Sequence, residues 1–269
     1  IVDNSKLQQE FNFTVCLHKA FINNYNDSQE FIEWVEMNRI LGAQRFIVYN
    51  FTGGSALTPF LNYYINEGLV GLHDWNALEL IDKIPGTFYA GQGVIIHDCI
   101  YRTMYKTKYL LLTDVDEIIV PQRFDSWTQA LVNLTECQGK DVILARNSFF
   151  PKDYTDKSIN LSEVESRILK LTHRFNYTFD CPNRTKIILK PDKTRFATVH
   201  YVNQASDGSH ASINCCLNTS DFLLQHFRFW KDNEHPDLIP HRRLIEKYRT
   251  QLDENGRKVE RMNNSTQKQ

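Results

Sequence analysis

The sequence predicts an α/β fold with a mainly parallel central sheet and helices on both faces. Two observations carry the expectation. Short apolar, β-branched runs alternate with segments of helical periodicity, and turn residues separate them at the spacing of consecutive strand and helix units. At 269 residues and 42% hydrophobic, the chain is also large enough to bury one substantial core.

The elements follow in order. Phe13 to Leu17, "FTVCL", is a first strand. A helix comes next, with Asp27 or Ser28 as N-cap, Glu30 in its first turn, an apolar stripe through Phe31, Trp34, Val35 and Leu41, and Gly42 as its stop. "RFIVYN" is a second strand ending at Asn50 and the Gly53-Gly54 turn. A helix from Ala56 to Asn66, closed by Gly68, precedes a third strand in "LVGLHDW". After a loop through Pro85 and Gly86, "GQGVIIHDCIYRTMYKT" has helical spacing and leads into a strand at Tyr109 to Thr113. Further on come a short helix in "SWTQALVNL", strands in "DVILARNSFF", "KIILKP" and "FATVHYV", and a basic helix in "HRRLIEKYRTQL". The expected organisation is one domain over 13–252, a stem or linker over 1–12 and a disordered polar tail over 253–269.

A formal charge of −1, with Lys and Arg scattered along the chain, gives no electrostatic footprint for nucleic acid. No apolar run is long enough to span a bilayer, so any membrane attachment is expected from a segment absent from this sequence. Asn-x-Ser/Thr occurs at Asn12, Asn26, Asn50, Asn133, Asn160, Asn176, Asn183, Asn218, Asn263 and Asn264, ten sites. Chance predicts about 2.5 from the composition, and the excess points to the lumen of the secretory pathway. Six cysteines suit the same oxidising compartment but do not reveal their pairing. Cys16 and Cys99, in apolar contexts, fit either buried thiols or a disulfide.

The stretch "KYLLLTDVDEIIVP" puts Asp114, Asp116 and Glu117 inside buried-strand sequence. Charges there are costly unless paired or bound to a metal. In a sheet of this kind ligands bind beyond the carboxyl ends of strands, where Asp114 to Glu117 fall. Two carboxylates flanking one residue can converge on a hard divalent cation that also holds phosphate oxygens. A phosphatase of the haloacid-dehalogenase type, with Asp114 as nucleophile, is the alternative reading. It is weakened by Ile118 two residues after the second Asp and by three earlier strand-like segments. A non-catalytic carbohydrate-binding domain is the third.

"FYAGQGVIIHDCIYRTMYKTKYLLLTDVDEIIVP" closely resembles glycosyltransferase family 92, in which Gln, Asp-Cys and Tyr-Arg precede an apolar strand and Asp-x-Asp-Glu. "EFIEWVEMNRILGAQRFIVYN" and "YYINEGLVGLHDW" match its amino-terminal half, and "LLQHFRF" resembles its later His-Tyr-Arg, with Phe227 in place of Tyr. The resemblance runs from Val15 to Arg228. It implies a GT-A-type, Rossmann-like sandwich and an inverting reaction that uses manganese or another divalent cation and a nucleotide-sugar donor. In animals the family implies UDP-galactose as donor and β1,4 transfer to fucose of a fucosylated N-glycan core, in the Golgi, by a single-pass membrane protein. Related plant members extend galactan, so the acceptor does not follow from the resemblance alone.

On that basis Asp114, Asp116 and His226 are the expected metal ligands, with His200 the substitute for His226. Lys19, Gln92, Asp98, Arg102, Asp114 and Arg228 are the donor-binding candidates, although Asp98 and Arg102 are also spaced for a helical ion pair. The base that takes the acceptor proton is not identified by any motif. Asp207, Asp221, Glu234 and Asp237 are the candidates, and Tyr201, Phe229 and Trp230 are aromatic residues able to stack on a sugar.

Overall fold

The computed structural model describes residues 8–76, 91–209, 214–230 and 237–266, the last four as backbone alone. Its main sheet has seven strands. In chain order these are β1 (Phe11–Leu17), β2 (Arg45–Asn50), β3 (Val70–Asp74), β4 (Thr107–Thr113), β6 (Val142–Ala145), β9 (Lys186–Leu189) and β12 (Asn214–Cys216). Spatially they run β12, β6, β9, β4, β1, β2, β3. All neighbours are parallel except β9, which lies antiparallel between β4 and β6.

Helices cover both faces because successive strand residues point to opposite sides. Phe13, Val15 and Leu17 of β1 pack on one face with α1 (Ser28–Leu41), α2 (Thr58–Asn66) and the carboxy-terminal helix. Cys16 between them packs on the other face with Ile95, Ile96, Cys99 and Ile100 of α3 (Gln92–Thr103). Asp27 caps α1 by accepting from the Glu30 N–H at 3.0 Å. Gly42, at φ +125°, ends the helix by donating to the Asn38 and Arg39 carbonyls. Between these ends Trp34 is fully buried, and its indole donates to the Thr113 hydroxyl at 3.3 Å. The last residue of β4 is therefore held against a side chain whose truncation costs about 3–5 kcal/mol.

A second sheet places β13 (Phe222–Arg228) between β5 (Glu117–Pro121), antiparallel, and β7 (Asn147–Pro151), parallel. The short helix α4 (Trp127–Val132) follows β5, and its Trp127 donates to the Ile119 carbonyl at 2.8 Å. The strand expected over 141–150 is thus two strands, broken at Arg146, because its halves serve different sheets. The strand expected over Phe196–Val202 is instead a hairpin of β10 (Thr194–Ala197) and β11 (Val202–Ala205). Thr198 makes that turn without Gly or Pro, its hydroxyl accepting from the backbone of His200 and Tyr201. Two short strands, β8 (His173–Phe175) and β14 (Leu238–Pro240), pair separately.

The expected tail after Leu252 is helical: α5 runs from Arg243 to Thr266. Leu244, Tyr248, Leu252 and Val259 form a buried stripe, and Asn255 donates to Glu36 of α1 at 2.9 Å. The polar composition hid that stripe. Three disulfides, Cys16–Cys99, Cys137–Cys215 and Cys181–Cys216, pair all six cysteines, so Cys16 and Cys99 are bridged.

Candidate active site

A cavity of about 690 Å³ opens at the carboxyl ends of β1, β4 and β13 and at the amino end of α3. Its floor is the turn between β4 and β5, where the chain leaves the main sheet and enters the second. The Asp114 N–H donates to the Glu117 carboxylate at 3.0 Å, closing the turn.

Lys186, the first residue of β9, is buried beside this turn. Its ammonium donates to Asp114 Oδ2 at 2.9 Å and lies 3.2 Å from Glu117 Oε2. Burial alone would raise Asp114, but the charge and hydrogen bond of Lys186, with His18 and Lys19 adding to them, together outweigh it and hold the carboxyl well below the usual range. Lys186 moves the other way: burial would lower it, and Glu117 and Asp114 together hold it above its ordinary value. Burial raises Glu117, with the Lys186 charge opposing.

His226 stands directly opposite Glu117 in the β5–β13 register. Its Nδ1 is 3.2 Å from Glu117 Oε1, and its Nε2 is 3.3 Å from Asp116 Oδ2. Asn147 Nδ2 lies 3.1 Å from the same Nδ1, while Asn147 Oδ1 is buried without a partner. A half-turn of that amide would let Nδ1–H donate to Oδ1 as well as to Glu117. Burial lowers the His226 pKa, but Glu117 and Asp116 outweigh it and raise it. The carboxylates thus favour positive charge at Nε2.

The residues fit a divalent cation. Carboxylate and imidazole are a suitable donor pair for a borderline metal, and Asp114 Oδ1 and His18 Nε2 are buried polar atoms without partners. His18, Asp114 and Glu117 also bring one ligand atom each within 4.8 Å of one another. The Lys186 ammonium already bridges Asp114 and Glu117, however, and a divalent ion beside it would meet a full positive charge. Asp116 with His226 is therefore the better pair. Burial holds His18 neutral, its pKa brought down to about 3, and its Nδ1 lies 2.7 Å from Gln92 Nε2.

Cationic side chains line the cavity near these acids. The Arg228 and Arg184 guanidiniums lie 5.1 and 5.6 Å from the Phe149 ring, and Arg184 is also 5.2 Å from that of Phe179. Stacking fixes them without consuming their N–H groups, which suits phosphate oxygens. Lys19, Gln92 and His200 are part of the same wall.

The remaining sequence candidates lie elsewhere. Asp98 pairs with Arg102 and accepts from the Tyr49 hydroxyl at 2.6 Å, and neither residue lines the cavity. Asp207 is in an exposed turn, where it accepts from the Ser209 N–H. Asp221 pairs with Arg123 at the opposite end of β13 from His226. Asp237 is exposed beside Asn176, and Glu234 lies outside the described residues. Of the aromatics, Phe229 is at the cavity, while Trp230 packs on Phe149 and Phe175. Sequence reasoning missed Lys186, His18, Arg184, Glu30 and Lys152, and had left Glu117 without a role. Lys186 read as the ordinary polar start of an apolar strand, and no local signal marks the others.

Such a cavity, acidic at the strand ends and cationic around them, lies where open α/β sheets bind their ligands. Residues 11–269 match the family described as glycosyltransferase family 92, and the chain belongs to that family. Among curated relatives, the galactan β-1,4-galactosyltransferases GALS2 and GALS3 of Arabidopsis thaliana are 26% identical over 136 residues and 27% over 122. These matches cover 49% and 44% of this chain and only 25% and 23% of the relatives. Similar solved structures include S. aureus TarS 1–349 in complex with UDP-GlcNAc (TM-score 0.44, 11% identity, 84% of this chain and 60% of that one). The galactosyltransferase LgtC with donor and acceptor sugar analogs has a TM-score of 0.41 and 11% identity, covering 91% and 95% of the two chains.

Proposed function

We propose that the chain is an inverting, divalent-metal-dependent galactosyltransferase that moves galactose from UDP-galactose to a glycan hydroxyl. The proposed product is a β1,4 linkage to fucose of an N-glycan core, formed in the Golgi lumen. The observation that carries the reading is the Asp116–His226 pair, with its nearest N–O distance of 3.3 Å, in a cavity that also holds Arg228, Arg184 and Lys19. Ten sequons and three disulfides support the lumenal part. The galactan β-1,4-galactosyltransferases among the relatives support galactose as the transferred sugar.

In this mechanism Asp116 and His226 would hold the cation, which would neutralise charge on the diphosphate. Glu117 accepts from His226 Nδ1–H and so presents Nε2 as the ligand atom. Arg228, Arg184 and Lys19 bind phosphate oxygens and stabilise the charge that builds there as the bond from the anomeric carbon to the phosphate oxygen breaks. The acceptor oxygen forms its bond to that carbon from the opposite face, and its proton passes to a base.

Incubation with UDP-galactose, manganese and core-fucosylated N-glycans should give transfer that EDTA abolishes. Asp116→Asn should weaken manganese-dependent UDP binding in calorimetry with the fold intact. Normal metal and UDP affinity in that variant would remove Asp116 from the site, and an Asp114 phosphoenzyme would establish the phosphatase instead. Glycan binding with no metal-dependent nucleotide binding would establish the carbohydrate-binding alternative.

A further inference from the structure

Away from Asp116 and His226, the cavity is lined by a group of side chains that the mechanism above does not use. Phe229, at its rim, is 66% exposed. The Lys152 ammonium lies 5.9 Å from its ring. Lys152 also pairs with Glu30 of α1, and Glu30 accepts from the Tyr25 hydroxyl at 2.8 Å. Tyr25 in turn stacks on Phe21, with centroids 4.9 Å apart and planes 7° from parallel.

Three separate chain segments make this group. Lys152 and Phe229 directly follow β7 and β13, the strands that carry Asn147 and His226, and the Lys152 N–H donates to the Arg228 carbonyl at 2.9 Å. Phe229 lies three residues beyond His226 along the extended chain, about 10 Å. A sugar resting on Phe229 is thus near enough to offer a hydroxyl to a donor held at Asp116 and His226.

We propose that Phe229, Lys152, Glu30 and Tyr25 form the acceptor subsite, and that it takes a neutral hexose or deoxyhexose. This rests on the transferase reading. The ring supplies a flat apolar platform for the C–H face of a sugar. The ammonium, carboxylate and phenol supply a donor, an acceptor and a group that is both, matching adjacent hydroxyls. Glu30 and Lys152 neutralise each other, so the subsite offers no net charge to attract an anionic sugar.

The test is steady-state kinetics of Phe229→Ala and Lys152→Met with UDP-galactose and a fucosylated N-glycan, beside calorimetric UDP binding. Phe229 is exposed, so its replacement leaves the core untouched. Phe229→Ala should raise the KM for the glycan about 3- to 10-fold, with the UDP-galactose KM and UDP affinity unchanged. Lys152→Met should raise the glycan KM in the same way, whereas a purely structural tie between α1 and β7 would lower thermal stability without moving it. Unchanged glycan KM in both variants, or a shift in UDP affinity instead, overturns the subsite. A wild-type protein that transfers nothing from UDP-galactose overturns the transferase reading itself.

Discussion

Lys186→Met removes the one positive charge that the buried turn carboxylates share. In the native protein the ammonium is 2.9 Å from Asp114 Oδ2 and 3.2 Å from Glu117 Oε2, and its side chain is only 2% exposed. Breaking a buried ion pair from one side costs about 3–5 kcal/mol, because the remaining charge loses its compensation. For a chain of this size that corresponds to a loss of roughly 10 °C in Tm. The pH dependence is specific. Native Asp114 is held low by Lys186, so its stabilisation is present above the ordinary carboxyl range and disappears as pH falls through its folded value. In the variant the opposition that Lys186 supplied is gone, so burial moves both carboxyls up from their native positions; the variant then keeps its stability better at low pH and loses it as pH rises. The gap between native protein and variant should therefore be widest above neutrality and narrow on acidification. Differential scanning calorimetry at pH 7.5 and pH 5 measures it. A gap under about 1 kcal/mol at the higher pH, or one that widens on acidification, would refute the reasoning.

Glu33 gives a second pH-dependent test. Burial pushes its carboxyl up to about 7, against the backbone N–H groups of Arg167 and Ile168 that it accepts from. A raised carboxyl contributes stability below its unfolded value and loses it as pH rises through the folded one, here worth up to about 3 kcal/mol. Glu33→Gln should flatten the fall in stability between pH 5 and pH 8, and parallel native and variant denaturant curves would show Glu33 to be uninvolved. Truncation after Leu252 should destabilise the protein by several kcal/mol, since it deletes Val259, the Asn255–Glu36 bond and the Asp253 carboxylate that accepts from Ser166. Unchanged thermal unfolding of the truncated chain would refute a structural role for that half of α5.

The first half of the fold was legible because its signals are local. Asp27, Glu30 and Gly42 mark the ends of α1, and uninterrupted apolar runs mark β1, β2 and β4. Direction and partnership are not local, so nothing in "KIIL" reveals that β9 runs against its neighbours or that Lys186 turns into the acidic site. The same limit divided the candidate residues. Asp116 and His226 come together although 110 positions apart in sequence. Asp98 and Arg102 are a turn apart on one helix and simply bind each other. Glu30 and Lys152 meet across 122 positions, and only the folded chain brings them together.

The adjacent Cys215 and Cys216 have a further consequence. They lie in β12, at one edge of the main sheet, paired with Ile143 and Leu144 of β6. Neighbouring strand residues face opposite ways, and the two sulfurs accordingly leave toward opposite layers, Cys215 to Cys137 and Cys216 to Cys181. Sliding β12 along β6 by a single residue would exchange those layers and carry each sulfur away from its partner. The pair therefore works as a register lock on a strand too short to align itself by hydrogen bonds alone. Made without oxidation, the chain would lack that lock, and the released edge would be open to pairing with another molecule, a route to insoluble protein.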